Sequence, residues 1–323
     1  MKDEKLPKNI VGVAISGPSS KYVVDTIVEA EQEGIPAVWL TSGGGSGDSL
    51  SVLAAAAART SEILLGTSIM RIWSRHPVTT AEQVSTISSI APGRFRLGVG
   101  SGINSTVERT FGVRFHSPMI HIREYMHIVR SLLHNGSVSF QGRCYTAYSE
   151  LPGISDDVPV MSSALGPKSY EMAGKFADGA ITWATPHSYA TGEALTILQE
   201  SSSAAKRPTP PLILHAALCV TDDMSEGKRG VQSKLGYFPA IPFYSNMFAR
   251  AGFLNSAKSG WTDEMIESIL VCGTEHQASQ QLDFLFATGA SEILVSVVSD
   301  PGKHASASRS MRFVSDYYKK LNS

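Results

Sequence analysis

Short apolar stretches alternate with longer stretches of helical periodicity along the whole chain. Four to eight apolar residues between turn signals are typical of a buried strand, and apolar residues at three- and four-residue spacing are typical of a helix. The pattern predicts eight strands, at 10–15, 37–41, 63–69, 95–99, 158–162, 179–183, 212–220 and 292–297. It predicts nine helices, at 21–33, 49–60, 79–90, 121–134, 169–176, 188–200, 224–235, 275–287 and 304–321.

The even spacing of these strand–helix pairs indicates the fold class. Eight βα units with no break in composition predict an α/β protein, a (β/α)₈ barrel forming one domain over residues 1–323. Two stretches exceed a minimal barrel: 136–157, with a predicted hairpin of 137–140 and 143–147, and the aromatic-rich 236–260. Long excursions after barrel strands build the C-terminal mouth, where active sites lie. We therefore expect these stretches to shape a site.

Composition excludes several classes of partner. The chain has 28 basic and 29 acidic residues, so it has no surplus of charge for binding nucleic acid. The charged N-terminus is no secretory signal, and no segment reaches the ~18 apolar residues that cross a bilayer. Three cysteines without a CxxC pair exclude a disulfide framework and a cysteine-based zinc site, and the histidine spacing predicts no metal. A cytoplasmic protein without membrane contact is predicted.

Two glycine-rich turns follow predicted strands. The first, TSGGGSGD at 41–48, resembles a phosphate cradle, because glycines let backbone N–H groups close on an anion at a helix N-terminus. The second, LGVGSGI at 97–103, indicates that something approaches the backbone closely. Neither turn has the spacing of a dinucleotide-binding or P-loop motif. A flexible connecting loop is the alternative interpretation of the first.

A third turn is more specific. The segment VPVMSSALGPK at 158–168 predicts a strand, a tight turn and a helix that begins at Pro167. The first N–H groups of that helix, its dipole and the Lys168 ammonium are suited to one phosphate group. A helix start with a solvated lysine is the alternative.

Two other features leave alternatives open. Arg75 and His76 follow the third strand, where a barrel places functional residues, but structural loop residues are the favoured interpretation. The 236–260 stretch contains five aromatic residues suited either to excluding water from a site or to ordinary core or dimer packing. These are Tyr237, Phe238, Phe243, Tyr244 and Phe248.

Five segments in this order resemble the bacterial luciferase-like oxidoreductases. They are LGTSIM at 65–70, SRHP at 74–77, PGRFRLGVGSG at 92–102, ALGPK at 164–168 and AGKFADG at 173–179. The set is most similar to the deazaflavin branch, that of methylenetetrahydromethanopterin reductase and its relatives, which use coenzyme F420. The resemblance spans nearly the whole chain.

The resemblance implies a barrel whose cofactor ring lies over the C-terminal mouth. It implies a non-prolyl cis peptide between Ser68 and Ile69 behind that ring. Gly100, Ser101 and Gly102 would flank the ring, and Ser42 after the second strand belongs to the same site. The residues that would hold the phosphate are Ser163, Ala164, Leu165, Gly166 and Lys168.

The chain departs from the family at several positions. The Asp-His pair common in deazaflavin enzymes is replaced by Ser42 and Gly43, and the glutamate of some relatives by Ile103. Residues 14–16 carry no acid, so general acid–base chemistry is absent from these positions and no catalytic residue is assigned. Methylenetetrahydromethanopterin is therefore disfavoured as the substrate.

The resulting hypothesis is a coenzyme F420-dependent oxidoreductase that acts on a small-molecule substrate. One alternative is an FMN-dependent monooxygenase, because FMN also carries a phosphate on a ribityl chain. A second is a non-catalytic barrel that binds a flavin or another ligand. The family also implies a homodimer formed through early helices, where the alanine-rich segment 50–58 permits close packing, although burial inside the chain explains it equally.

Overall fold

Eight parallel strands form a closed barrel in the computed structural model, which describes residues 9–41, 47–151, 157–302 and 304–321. The strands are β1 (Ile10–Ile15), β2 (Ala37–Leu40), β3 (Leu64–Thr67), β4 (Phe95–Gly100), β5 (Val160–Ser163), β6 (Ala180–Ile181), β7 (Leu212–Val220) and β8 (Glu292–Val297). Each strand pairs with the next, and β8 pairs with β1. The predicted (β/α)₈ barrel is confirmed.

Helices surround the barrel. They are α1 (Ser20–Glu33), α2 (Ser49–Ala57), α3 (Pro77–Ile90), α4 (Asn104–Phe111), α5 (Pro118–Asn135), α6 (Pro167–Phe176), α7 (Leu195–Ala204), α8 (Met224–Leu235), α9 (Pro242–Arg250), α10 (Asp263–Glu267), α11 (Glu275–Ala287) and α12 (His304–Leu321). Short helical turns lie at Ile72–Ser74, His187–Tyr189, Ala190–Ala194, Phe238–Ala240 and Ser256–Ser259. No helix in these ranges is long and apolar enough to cross a membrane. The cytoplasmic location stays a prediction.

Two predicted helix starts, at 49 and 275, are confirmed, whereas the helix predicted from 79 begins at Pro77 because His76 caps it. The Asp48 carboxylate accepts a hydrogen bond from the Ser51 N–H at the start of α2, and Thr274 and Gln277 form a capping box at the start of α11. The predicted helix 188–200 is instead two short turns followed by α7. Helices α4, α9 and α10 were not predicted.

Several strand boundaries differ from the prediction, and three of these differences have a local cause. The predicted strand 63–69 ends at Thr67, before the cis peptide that follows it. The predicted strand 179–183 is reduced to β6, because the chain turns at Ala184, whose φ is 46°. The second hairpin strand is Thr146–Glu150 rather than 143–147, since the backbone N–H groups of residues 143, 144 and 145 all donate to the Glu124 carboxylate.

One strand outside the prediction widens the barrel. Leu270–Gly273 pairs with the C-terminal half of β7, whereas β6 pairs only with its first two residues. The register places Cys219 opposite Cys272, so two cysteines far apart in sequence are neighbours, and both are free thiols. Met70–Arg71 pairs in the same way with the end of β4.

A buried ion pair closes the N-terminal end of the barrel. Both terminal nitrogens of Arg96 donate to the carboxylate of Glu292, and the indole Nε1 of Trp39 donates to Glu292 Oε1 at 2.6 Å. The guanidinium lies 4.2 Å from the centre of the Trp39 ring. Gly12 leaves room for these groups, because a Cβ there would lie 3.0 Å from both Glu292 and Trp39.

The apolar residues of α2 pack against other parts of the same chain. Leu50, Val52 and Leu53 are buried in the barrel's outer core. The alanine-rich segment therefore gives no support to a dimer contact, and the homodimer stays a prediction.

Candidate active site at the barrel mouth

The C-terminal mouth of the barrel has an apolar floor. Trp39, Met161, Ile181, Ile213 and Leu294 form a buried cluster inside the barrel. Ala14, Ile69 and Trp183 pack on this cluster and are only partly buried. The first lies on β1, and the other two lie just beyond β3 and β6. The floor therefore offers an uncharged surface at the place where barrel enzymes bind their ligands.

The predicted cofactor residues of β3, β4 and β5 lie side by side. The peptide bond between Ser68 and Ile69 is cis, as predicted. A Cβ on Gly100 would lie 2.6 Å from Ser163 Oγ and 2.8 Å from Ile69 Cδ1. The hydroxyl of Ser68 is buried and has no hydrogen-bond partner within the described ranges. A buried polar atom without a partner costs free energy, which is recovered when a ligand supplies one.

The turn after β4 is held by an aromatic side chain. Trp73 Nε1 donates to the carbonyl of Ser101 at 2.8 Å. Gly102 has a φ of 68°, and a Cβ there would lie 3.0 Å from Arg71 Cδ. Ile103, which replaces the family's glutamate, is the N-cap of α4. Ser101 and Gly102 are therefore positioned by residues that follow β3.

The predicted phosphate turn is preformed by a serine that sequence reasoning did not select. The backbone N–H groups of Leu165 and Gly166 donate to Ser169 Oγ at 2.9 and 3.1 Å, and that hydroxyl donates to the Gly166 carbonyl at 2.7 Å. The Ala164 N–H donates to Ile181 O within the barrel, at 2.9 Å. Ala164 therefore presents no free N–H, and the N–H groups of Leu165 and Gly166 both point at the Ser169 hydroxyl.

The outer side of this turn is open. A Cβ on Gly166 would meet no atom within 4 Å, and Lys168 is exposed. The remaining predicted residue, Ser42, and most of the 41–48 turn lie outside the described residues.

A histidine inside the barrel supports one edge of the floor. His215 on β7 lies under Trp183, with 4.0 Å between ring centres. Its Nδ1 accepts from the Ala184 N–H at 3.1 Å, and its Nε2 lies 2.9 Å from Ser296 Oγ. Burial lowers the pKa of His215 to about 3, so the ring is neutral at pH 7. Since both nitrogens are engaged, this residue positions Trp183.

A cluster of rings lies at the rim between α3 and α5. The His121 ring is 4.4 Å from Trp73, 5.1 Å from His116 and 5.4 Å from Tyr145, between ring centres. Its two nitrogens have no hydrogen-bond partner in the part of the chain that is described, and burial lowers its pKa. These rings encase Trp73, which in turn holds Ser101.

The residues before α3 have structural roles, which is the interpretation that the sequence favoured. His76 caps the helix, because its Nδ1 accepts from the Val78 N–H at 3.3 Å, and Arg75 forms an ion pair with Asp48. In the 236–260 stretch, Phe238, Tyr244 and Phe248 are buried, whereas Tyr237 and Phe243 are exposed. The buried three contribute packing, and water exclusion by the other two stays a prediction.

A separate cavity of about 580 Å³ lies on the outer flank of the barrel. Its lining includes His187, Glu267, Cys272, Gln280 and Phe284. None of the predicted cofactor residues within the described ranges lines it.

Known proteins are similar to this chain in sequence. A family model described as Luciferase-like monooxygenase matches residues 8–292. The 5,10-methylenetetrahydromethanopterin reductase of Methanolobus tindarius is 24% identical over 295 residues, covering 85% of this chain and 89% of that protein. The F420-dependent glucose-6-phosphate dehydrogenase of Nakamurella multipartita is 33% identical over 183 residues, covering 51% of this chain and 52% of that protein.

Solved structures share the fold. The coenzyme F420-dependent tetrahydromethanopterin reductase from Methanopyrus kandleri matches with a TM-score of 0.77 and 19% identity, covering 97% of this chain and 98% of that one. The oxygenating constituent of 3,6-diketocamphane monooxygenase from Pseudomonas putida, solved with FMN, matches with a TM-score of 0.74 and 16% identity, covering 95% and 97%. The fold is therefore common to proteins that bind either cofactor.

Proposed function

Since the chain belongs to the luciferase-like monooxygenase family, we propose that it is a coenzyme F420-dependent oxidoreductase. It transfers a hydride between the deazaflavin and a small organic substrate. The observation that carries the proposal is the convergence of Ser68, Ile69, Gly100 and Ser163 beside an apolar floor. The F420-dependent relatives support the choice of cofactor.

The residues at the mouth fit such a cofactor. The absence of a Cβ at Gly100 lets the Ser163 and Ile69 side chains lie against this backbone, and the unpartnered Ser68 hydroxyl is available to a polar atom of a ligand. Ser68, Ile69, Gly100, Ser101 and Gly102 would hold the ring. Ser163, Ala164, Leu165, Gly166 and Lys168 would hold the phosphate, with the Ala164 contribution limited to its side chain and carbonyl. When bound, the deazaflavin supplies or accepts the hydride.

The chain's own residues prepare this site. Ser169 keeps the Leu165 and Gly166 N–H groups directed at one hydroxyl oxygen, so the turn has the shape of an anion site before a ligand arrives. The Lys168 ammonium adds positive charge at the start of α6. Ala14, Ile69 and Trp183 exclude water from the floor, which strengthens polar interactions above it.

An FMN-dependent monooxygenase is the second candidate. A phosphate group on a ribityl chain is common to both cofactors, so the turn at 163–168 serves either one. Discrimination between them therefore requires a direct comparison of binding.

The proposal is tested by titrating the purified protein with F420 and with FMN in parallel, following cofactor fluorescence. We expect F420 to bind at micromolar concentration and FMN to bind at least about tenfold more weakly, a difference of about 1.4 kcal/mol. Tighter FMN binding would replace the proposal with the monooxygenase, and binding of neither would favour the non-catalytic barrel.

Two lysine variants test where the phosphate group of the cofactor binds. Lys168→Met is expected to weaken F420 binding roughly three- to tenfold, because one exposed charge contributes about 1 kcal/mol. Lys175→Met is the control, since Lys175 lies on the same helix in an ion pair with Glu171. Equal effects of both variants would place the phosphate elsewhere.

A further inference from the structure

Two of the three cysteines lie side by side on neighbouring strands. Cys219 is on the C-terminal half of β7, Cys272 is on the strand Leu270–Gly273, and the parallel register pairs them directly. Neighbouring strands lie about 4.8 Å apart, which falls within the range of about 4.4–6.8 Å between the Cα atoms of a disulfide. A bond between the two sulfurs therefore fits this sheet, although both thiols are free in this structure.

The sulfur of Cys272 lies against the first turn of α8. A Cβ on Gly227 would lie 2.7 Å from Cys272 Sγ and 3.3 Å from Cys219 Cβ, so glycine at this position lets the helix approach both cysteines. The thiol of Cys219 and the backbone N–H groups of Gly273 and Gly227 donate hydrogen bonds to the Cys272 sulfur. Hydrogen-bond donors at the N-terminal end of a helix stabilise a thiolate.

The two sulfurs consequently differ in acidity. The hydrogen bond from the Cys219 thiol, followed by those from the backbone, lowers the pKa of Cys272, and burial and the Glu226 carboxylate act in the opposite direction. Donating that hydrogen bond, followed by burial, raises the pKa of Cys219. Cys272 is therefore the better nucleophile of the pair, and Cys219 keeps its proton.

The flank cavity gives access to the more acidic thiol. Cys272 is buried, but it is one of the residues that line this cavity of about 580 Å³, whereas Cys219 is not. Met224 and Phe284, which also line the cavity, are exposed, so the cavity opens to solvent. Its volume is typical of a small-molecule site. A small molecule that enters the cavity therefore meets Cys272 first and reaches Cys219 only through it.

The lining is suited to a neutral molecule with an apolar body and one polar end. Met224, Phe284 and Leu285 provide apolar surface, and the acidic residue Glu267 disfavours anions. His187 also lines the cavity, and its Nε2 is buried without a hydrogen-bond partner in the described part of the chain. Burial lowers the pKa of His187 to about 4, so the ring is neutral at pH 7. An uncharged polar group of a ligand would supply the missing hydrogen bond.

We propose that Cys272 and Cys219 form a redox-active thiol pair that reduces a neutral organic hydroperoxide bound in the flank cavity. The Cys272 thiolate attacks the terminal oxygen of the hydroperoxide, the O–O bond breaks, and the departing alkoxide takes a proton to give the alcohol. The Cys219 sulfur then loses its proton and attacks the Cys272 sulfenic acid, whose S–O bond breaks to release water. Two electrons pass from the two sulfurs to the peroxide, which leaves one disulfide. A thiol of lowered pKa next to a second cysteine is the arrangement that this chemistry requires.

The first experiment treats the reduced full chain with one equivalent of cumene hydroperoxide. We expect the intact mass to fall by two hydrogen atoms, and peptide mapping without reductant to find Cys219 linked to Cys272. Cys144 is the internal control, because it is the most exposed of the three thiols, whereas burial and the Glu124 carboxylate raise its pKa. Oxidation of Cys144 before Cys272, or peptides without the link, would overturn the proposal.

Cysteine variants assign the two roles. In Cys219→Ser, the sulfenic acid of Cys272 should accumulate and be trapped by dimedone. Cys272→Ser should form neither the dimedone adduct nor the disulfide, and Cys144→Ser should react like the wild type. A dimedone adduct on Cys219 in the Cys272→Ser variant would contradict the assignment of Cys272 as the nucleophile. The peptide map of the wild type remains decisive where a variant fails to fold.

Two tryptophan variants test whether the cavity is the route. Gln280 is exposed and lines the cavity, so Gln280→Trp should slow the oxidation of Cys272 by cumene hydroperoxide at least about tenfold. His276→Trp is the control, because His276 is exposed on the same helix and does not line the cavity. Equal effects of the two variants would place the route elsewhere.

Hydrogen peroxide distinguishes an organic substrate from any peroxide. It lacks the apolar body, so it should oxidise wild-type Cys272 more slowly than cumene hydroperoxide does, and Gln280→Trp should slow it less. Equal rates for the two peroxides would contradict binding in the cavity. None of these measurements requires F420, so their outcome is independent of the cofactor assignment.

Discussion

The two ends of the barrel treat polar groups in opposite ways. At the N-terminal end, Arg96 and Trp39 both donate hydrogen bonds to the Glu292 carboxylate, and all three side chains are almost fully buried. Of their nitrogens and oxygens, Arg96 Nε alone has no partner within the described ranges. At the mouth, the Ser68 hydroxyl is buried and has no hydrogen-bond partner among the described residues. Groups that satisfy one another stabilise the fold, and groups left with spare hydrogen-bonding capacity bind ligands.

The difference also shows in the glycines. Gly12 makes room for side chains of this chain, Trp39 and Glu292. A Cβ on Gly166 would meet no atom within 4 Å, so the space beside this glycine is open to a ligand. The same residue type thus serves packing at one end and access at the other.

The largest expected effect is at the N-terminal end. Glu292→Ala leaves the Arg96 guanidinium buried without its carboxylate, which typically costs about 3–5 kcal/mol of unfolding free energy. Glu275→Ala removes an exposed ion pair with Arg309 and should cost less than about 1 kcal/mol. Urea unfolding of both variants measures the contrast, and similar losses would contradict the distinction between buried and exposed pairs.

Gly100→Ala should affect both stability and cofactor binding. The added methyl group meets Ser163 and Ile69, so we expect a loss of about 1–3 kcal/mol in unfolding free energy. F420 affinity should fall by roughly tenfold, because the methyl group displaces Ser163 and Ile69, which are proposed to contact the cofactor. Wild-type affinity in a folded Gly100→Ala protein would place the ring elsewhere.

Acid should destabilise the protein through the buried histidine under the floor. The folded-state pKa of His215 is about 3, below its ordinary 6.5, so its stabilising effect is complete above pH 6.5. Below that pH the unfolded chain binds a proton that the folded chain does not, and the unfolding free energy falls by up to about 1.4 kcal/mol per pH unit. Urea unfolding at pH 6 and pH 5 should show a smaller decrease for His215→Gln than for the wild type. The same decrease in both would exclude this residue as the cause.

Ser169→Ala should have the smallest effect. Losing the hydroxyl that accepts two backbone N–H groups should lower the unfolding free energy by about 0.5–1.5 kcal/mol. F420 affinity should fall about threefold, since the turn is no longer held in the shape of an anion site. A calorimetric titration measures this change, and tighter binding would show that Ser169 only competes with the phosphate.

Most of the fold follows from local sequence patterns. Buried parallel strands are continuous apolar runs, so all eight barrel strands were predicted. The strand Leu270–Gly273 was missed, although it is as long as the predicted strands β2, β3 and β5. Helix α4 was missed because only Val107 is buried on it, which leaves no repeating apolar face.

Fewer features of the site than of the fold could be predicted from local sequence. The turns that follow β3, β4 and β5 were located by their resemblance to the luciferase-like family. The closed barrel brings these turns together. Trp183 was not selected, because the residues that hold it, His215 and Ser296, lie on later strands that no local motif connects to it. Ser169 lies three residues beyond Gly166, and its ST-type turn was a signal that sequence reasoning could have used.

Hydrogen exchange with and without F420 tests most directly whether the mouth is the functional end. We expect slower exchange at 68–71, 100–103 and 163–169 when F420 is bound, and unchanged exchange around Arg96 and Glu292. Protection confined to the flank cavity near His187 and Phe284 would contradict the assignment of the mouth as the cofactor site.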